Sequence, residues 1–257
     1  MWNKKSIEGY HCAYAWEKGN SALGEKERPN GDACGMEVVE KEGLFRALAV
    51  VSDGISTLDN PAETAGFVVT ELSDWFYETL LGGPFTGKRL YHLGHQKLYE
   101  ICHSLREKAE QKMVVKGYGC SASFVLLEGA HFVAFSSGIT RIYVISRDGG
   151  VKRLSHDDAR GKKQLKACIG SFGYQEAEFI KGKLKKGEAL LVCSSGFSGA
   201  KDLGILGAGK VYTEEMAERR LRELAKKQIR ENGGEDATAV WIRPVSFQEE
   251  KQDVGTI

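Results

Sequence analysis

The stretch with the clearest chemical consequence is Ala47-Leu48-Ala49-Val50-Val51-Ser52-Asp53-Gly54, where small and apolar residues run directly into a carboxylate and a glycine. A short apolar run bounded by turn residues reads as a strand buried on both faces. An aspartate at the mouth of such a strand is costly unless it meets a cation or several hydrogen-bond donors. Gly54 lets the chain turn sharply, bringing its carbonyl close to whatever Asp53 holds. Two roles stay open for Asp53 at this point: ligand for a cation, or cap for the helix that follows. Other candidate groups carry less. His92, His95 and His103 do not place two rings on one helix face at i, i+4, and read as surface or packing residues. His11 and His156 read as surface or satisfied histidines in the same way. The six cysteines form no Cys-x-x-Cys pair and sit mostly among apolar or small residues, the setting of reduced, packed thiols rather than of zinc ligands or disulfides.

The elements around Asp53 alternate between the two periods. Residues 7–17 are rich in aromatic and β-favouring types and read as an opening strand, residues 18–31 as a polar loop. A strand around Met36–Glu40 joins the Ala47–Ser52 strand through Lys41-Glu42-Gly43. Pro61 to Leu81 carries a helical stripe of Ala65, Val69, Leu72, Phe76 and Leu80, and a second helix follows with Leu90, Leu98, Ile101, Leu105 and Ala109 on one face. Strands are expected at 121–127, 131–136, 141–146, 151–154, 189–193 and 238–242. A short helix is expected within 156–169, a solvated basic loop at 181–186, and a helix at 213–230 with Thr213 as its N-cap.

At 257 residues the chain suits one large domain or two small ones, and a hydrophobic fraction of 42% is enough for a sizeable core. Lys and Arg number 36 against 35 Asp and Glu, so no global field draws the protein to nucleic acid or to an anionic membrane. There is no apolar leader at the N-terminus and no long apolar run, from which a soluble, cytoplasmic protein is expected.

Seven segments in order, from about residue 7 to residue 243, resemble the metal-dependent type-2C family of serine/threonine protein phosphatases. They are Arg28-Pro29-Asn30-Gly31-Asp32-Ala33, Val51-Ser52-Asp53-Gly54, Gly119-Cys120-Ser121-Ala122, Ser137-Gly138-Ile139-Thr140-Arg141-Ile142-Tyr143, Leu154-Ser155-His156-Asp157, Leu190-Leu191-Val192-Cys193-Ser194-Ser195-Gly196-Phe197, and Glu235-Asp236-Ala237-Thr238. The resemblance implies an α+β fold, a four-layer α-β-β-α sandwich of two mostly antiparallel sheets flanked by helix pairs. It would form a single domain over 1–245, with a polar tail at 246–257. It also implies a pair of Mn2+ or Mg2+ ions that clamp phosphoryl oxygens and lower the pKa of a shared water.

Carried over residue by residue, the resemblance makes Asp53 the bridging carboxylate and Gly54 a carbonyl donor. Asp32 becomes a further metal residue, although Gly31 stands beside it where Glu or Gln is usual. Alignment on Thr238 puts Glu235 at the last metal carboxylate, with Asp236 next to it. Arg28 would hold the phosphate, one residue nearer Asp32 than in the family pattern. Two aspartates of the pattern are replaced, by Ile139 and by Ser195. With fewer carboxylates the centre is expected to bind one ion weakly or none. The expected function is then a pseudophosphatase that binds a phosphoprotein or a partner kinase. The alternative is an active Mn2+- or Mg2+-dependent phosphoserine/phosphothreonine phosphatase. Arg141 is expected to pair structurally with a nearby carboxylate.

Overall fold

In the Ala47–Ser52 run neighbouring side chains face opposite ways, and both ways lead into protein. Leu48 and Val50 pack toward the helices, while Ala47, Ala49 and Val51 face a second sheet. That double burial is why the strand shows no polar alternation. The architecture follows from it in this computed structural model, which describes residues 9–19, 29–160, 164–165, 167–197, 202–211, 213–231 and 234–245.

The first sheet has the order β1-β13-β12-β6-β7, all antiparallel: β1 (Gly9–Glu17), β6 (Arg141–Ile145), β7 (Val151–Arg153), β12 (Ala189–Cys193) and β13 (Ala237–Val245). The second has the order β11-β5-β4-β3-β2: β2 (Asp32–Lys41), β3 (Leu44–Gly54), β4 (Gly119–Glu128), β5 (His131–Ser137) and β11 (Glu178–Lys183). The short β10 (Ile169–Gly170) pairs with β4. A two-residue ladder, β8 (Ala159–Arg160) with β9 (Gln164–Leu165), stands apart. Between the sheets lies an aliphatic layer that includes Val125, Ala134, Leu190, Val192, Val240 and Ile242.

Helices α1 (Pro61–Trp75) and α2 (Gly87–Gln111) cover the second sheet, setting Val68, Leu72, Leu98 and Ile101 against Leu48, Phe124 and Phe135. Burying each such side chain stabilises the fold by about 1.5–3 kcal/mol. Gly94 is what lets α2 approach so closely, since a Cβ there would stand 2.1 Å from Phe135 Cζ. Helix α3 (Glu214–Glu231) covers the first sheet through Leu221, Leu224 and Ile229 against Leu191 and Trp241. Thr213 Oγ1 accepts from Met216 N at 3.2 Å, the cap expected of it. The fold is therefore the α+β sandwich of two antiparallel sheets flanked by helices, with α3 and a 3-10 turn at Leu203–Leu206 on the side opposite the α1–α2 pair.

Several expectations are corrected. The first helix ends at Trp75 and continues as a π-helical turn, Phe76–Leu80. Within 156–169 there is no helix among the described residues. Asp157 is held by Arg141 and Arg153, Asp158 N donates to Gly138 O, and His156 N donates to Glu178 Oε2, which commits the chain to distant partners instead of i, i+4 bonds. Lys181 and Lys183 belong not to a loop but to β11, an edge strand, where lysines discourage further strand pairing. None of the six cysteines forms a disulfide.

Candidate metal centre

Strand register decides which carboxylates meet. Asp32 at the start of β2 lies opposite Asp53 near the end of β3, and Asp53 lies opposite Ser121 on β4. Asp236, just before β13, approaches both from the other sheet closely enough to raise the pKa of each. Burial is the main cause of a large rise at Asp32, with Asp53 second, and the Ser194 and Thr238 hydroxyls partly offset it. Burial likewise pushes Asp53 up, against the pull of the Ser195 hydroxyl and amide.

The hydrogen bonds give each aspartate a different situation. Asp53 Oδ2 accepts from Ser195 Oγ at 2.6 Å and from Ser195 N at 3.0 Å. Asp236 Oδ1 accepts from Gly19 N at 2.7 Å and Oδ2 from Gly31 N at 2.8 Å, so this side chain ties together two stretches that precede β2. Asp32 is only 5% exposed, and its Oδ2 has no hydrogen-bond partner. Asn30 Oδ1 accepts from Asp32 N at 2.8 Å, which leaves Asn30 Nδ2 buried without an acceptor. Gly54 N donates to Gly31 O at 3.0 Å, and a Cβ at Gly54 would fall 2.3 Å from Pro61 O, so only glycine fits this turn.

The structure gathers Asp32, Asp53 and Asp236 and leaves Glu235 exposed on the turn before them. Arg28 lies outside the described residues. Ile139 sits half-buried in the turn after β5, where Gly138 N is held by Asp158 Oδ2 at 3.1 Å. Arg141 makes the structural pair expected of it, with Nε to Asp157 Oδ1 at 3.1 Å and Nη2 to Oδ2 at 2.8 Å. Among the described residues, no three His, Cys, Asp or Glu side chains are disposed to hold a metal ion together. Sequence reasoning missed that the hydroxyl at position 195 turns back onto Asp53, and that Asp236 is a clamp for backbone amides. The only available signal was the coincidence of Ser195 with an aspartate position of the pattern.

The profile of the protein phosphatase 2C family matches residues 19–237. The chain belongs to the protein phosphatase 2C family. Solved structures of similar fold include a bacterial serine phosphatase, with TM-score 0.74, 18% identity, and 93% of this chain and 98% of that one covered. Serine/threonine phosphatase Stp1 from Staphylococcus aureus is similar, with TM-score 0.73, 18% identity and coverage of 93% and 95%. So is the catalytic domain of the serine/threonine protein phosphatase PstP in complex with two manganese ions, with TM-score 0.67, 20% identity and coverage of 93% and 99%. No curated protein sequence matches this chain. No helix among the described residues is long and apolar enough to cross a membrane.

Proposed function

We propose that this protein phosphatase 2C family member is a pseudophosphatase, which keeps the fold without a tight dinuclear centre and acts in the cytoplasm by binding a phosphoprotein or a partner kinase. One observation carries the reading: Ser195, standing where the family pattern has an aspartate, donates both its hydroxyl and its amide to Asp53 Oδ2. Two hard cations sharing a water require several carboxylate and carbonyl oxygens open to them. Here one oxygen of Asp53 and both of Asp236 are already satisfied by N–H or O–H donors. The Ile139 side chain supplies no oxygen. This donor set does not fit a pair of divalent ions.

The unpartnered Oδ2 of Asp32 favours a second reading, an active Mn2+- or Mg2+-dependent serine/threonine phosphatase. In it, Asp32, Asp53 and the Gly54 carbonyl, with Glu235 or Asp236, would hold metal, and Arg28 would hold phosphate. Calorimetric titration with MnCl2 of the protein and of Asp53→Asn separates the two, run beside a phosphopeptide hydrolysis assay. The pseudophosphatase reading expects no saturable binding below millimolar Mn2+ and no turnover above a metal-free control. Micromolar binding that Asp53→Asn abolishes, accompanied by turnover, would overturn it.

A further inference from the structure

β1 and β2 are edge strands of opposite sheets, and the space between the sheets opens where they part. On β1 the residues Tyr10 and Cys12 belong to the inter-sheet layer, and the same alternating face continues through Tyr14 and Trp16, which are 46% and 52% exposed. On β2 the matching face carries Asp32, Cys34 and Met36. Tyr14 and Trp16 on one side and Asp32, Cys34 and Met36 on the other line a cleft of about 730 Å3, within the range of side-chain and small-ligand sites. Trp16 is fixed in place by donating its indole N–H to Asp32 O at 2.8 Å, so a large aromatic surface is held half in solvent.

The inner end of this cleft is polar and incomplete. Asn30 and Asp32 both line it, both are 5% exposed, and each has one unpartnered atom, Asn30 Nδ2 as donor and Asp32 Oδ2 as acceptor. The orientation of the Asn30 amide is set by its own bond to Asp32 N. Asp32 is the one charged residue among the described lining, and Asp53 and Asp236 stand behind it. An anion is disfavoured at such a place and a cation favoured. Aromatic walls beside a carboxylate suit a guanidinium best, because it is weakly hydrated, stacks on rings and pairs with carboxylates through two N–H groups. A guanidinium has no acceptor to offer Asn30 Nδ2, but the carbonyl of the peptide that bears it does.

We propose that this cleft receives an arginine side chain from a protein partner, the guanidinium meeting Asp32 between Tyr14 and Trp16 while a partner carbonyl accepts from Asn30. This deepens the pseudophosphatase reading and rests on it: the partner's cation neutralises carboxylates that no metal pair neutralises. The test is a titration in EDTA of the isotopically labelled protein, following the Trp16 indole N–H resonance. The probes are acetyl-Ala-Arg-Ala-amide, the same peptide with neutral citrulline, and butylguanidinium.

The expected result is saturable displacement of the Trp16 resonance by the arginine peptide in the millimolar range. Binding should be about tenfold weaker for citrulline and for butylguanidinium. Asp32→Asn should weaken the arginine peptide by a similar factor, and so should Tyr14→Ala, an exposed substitution that leaves the core untouched. Equal binding of the arginine and citrulline peptides, or no binding of either, overturns the proposal. Butylguanidinium binding as tightly as the peptide overturns the assignment to a polypeptide. Because the titration contains no metal, its failure is distinguishable from that of the pseudophosphatase reading, which the manganese titration decides alone.

Discussion

Replacing Asp32 with asparagine should make this protein more stable, and only above acidic pH. Asp32 is buried, its Oδ2 lacks a partner, and burial together with Asp53 pushes its carboxyl well above the usual range. Asparagine has the same shape, removes the charge, and turns the unpartnered oxygen into a donor within reach of Asp53 across the strand pair. Relieving an unsatisfied buried acceptor is worth about 1–3 kcal/mol, or roughly 3–10 °C in Tm for a chain of this size. The sign with pH follows from the raised pKa. The folded state holds the proton more tightly than the unfolded chain, so the stabilising contribution is fully present below about pH 3.9 and is lost as pH rises through the folded value. Asp32→Asn escapes that loss, so its advantage is absent near pH 3.5 and grows as pH rises through the raised folded value. Urea denaturation of both proteins in EDTA across this range measures it. A variant less stable than the parent at pH 8, or an offset independent of pH, refutes the reasoning. Millimolar MnCl2 should leave the difference unchanged, whereas its collapse would favour the metal-dependent hydrolase.

Asp236→Ala strips the acceptors from the buried amides of Gly19 and Gly31 and should cost about 2–4 kcal/mol in urea denaturation, with Asp236→Asn costing less. Gly94→Ala drives a methyl into Phe135 and should destabilise by about 1–3 kcal/mol despite the better helix propensity of alanine, read as a fall in Tm. Ser195→Asp combined with Ile139→Asp returns two carboxylates to the centre. This double variant should be less stable than the parent in EDTA but gain about 2.7 kcal/mol when Mn2+ is at a hundred times its Kd, which thermal melts with and without MnCl2 would detect.

Much of the sandwich was legible because burial on both faces forces a continuous apolar run, as at Ala47–Val51, and because α1, α2 and α3 each carry one apolar stripe. The segment 156–169 was misread because long-range partners for Asp157, Asp158 and His156 outweigh local propensity, and no spacing reveals them. At the site, residue types were legible and geometry was not. Alignment on Thr238 put Glu235 first, yet it is Asp236 that the fold buries among backbone amides while Glu235 stays exposed. The register that sets Asp32 opposite Asp53 depends on pairing across the whole of β2 and β3, which a local motif does not specify.

Ser195 therefore has a role of its own at the site, as a double donor to Asp53. Two buried carboxylates, Asp32 and Asp236, and the half-buried Asp53 gather at the ends of two sheets and repel one another, and a family that binds two cations there has a ready remedy. With Ile139 in one of the acidic positions that remedy is weakened, and the remaining charges need donors from the protein itself. A serine at 195 supplies two of them to Asp53, and the amides of Gly19 and Gly31 supply two more to Asp236. On the proposed reading, the serine that stands where the family pattern has an aspartate is thus the residue that satisfies Asp53 without metal. On this argument Ser195→Asp made alone, with Ile139 in place, should lose stability in EDTA and recover little with MnCl2. Full recovery by manganese of that single variant would show that the remaining oxygens still suffice for a cation, and that the serine compensates for nothing.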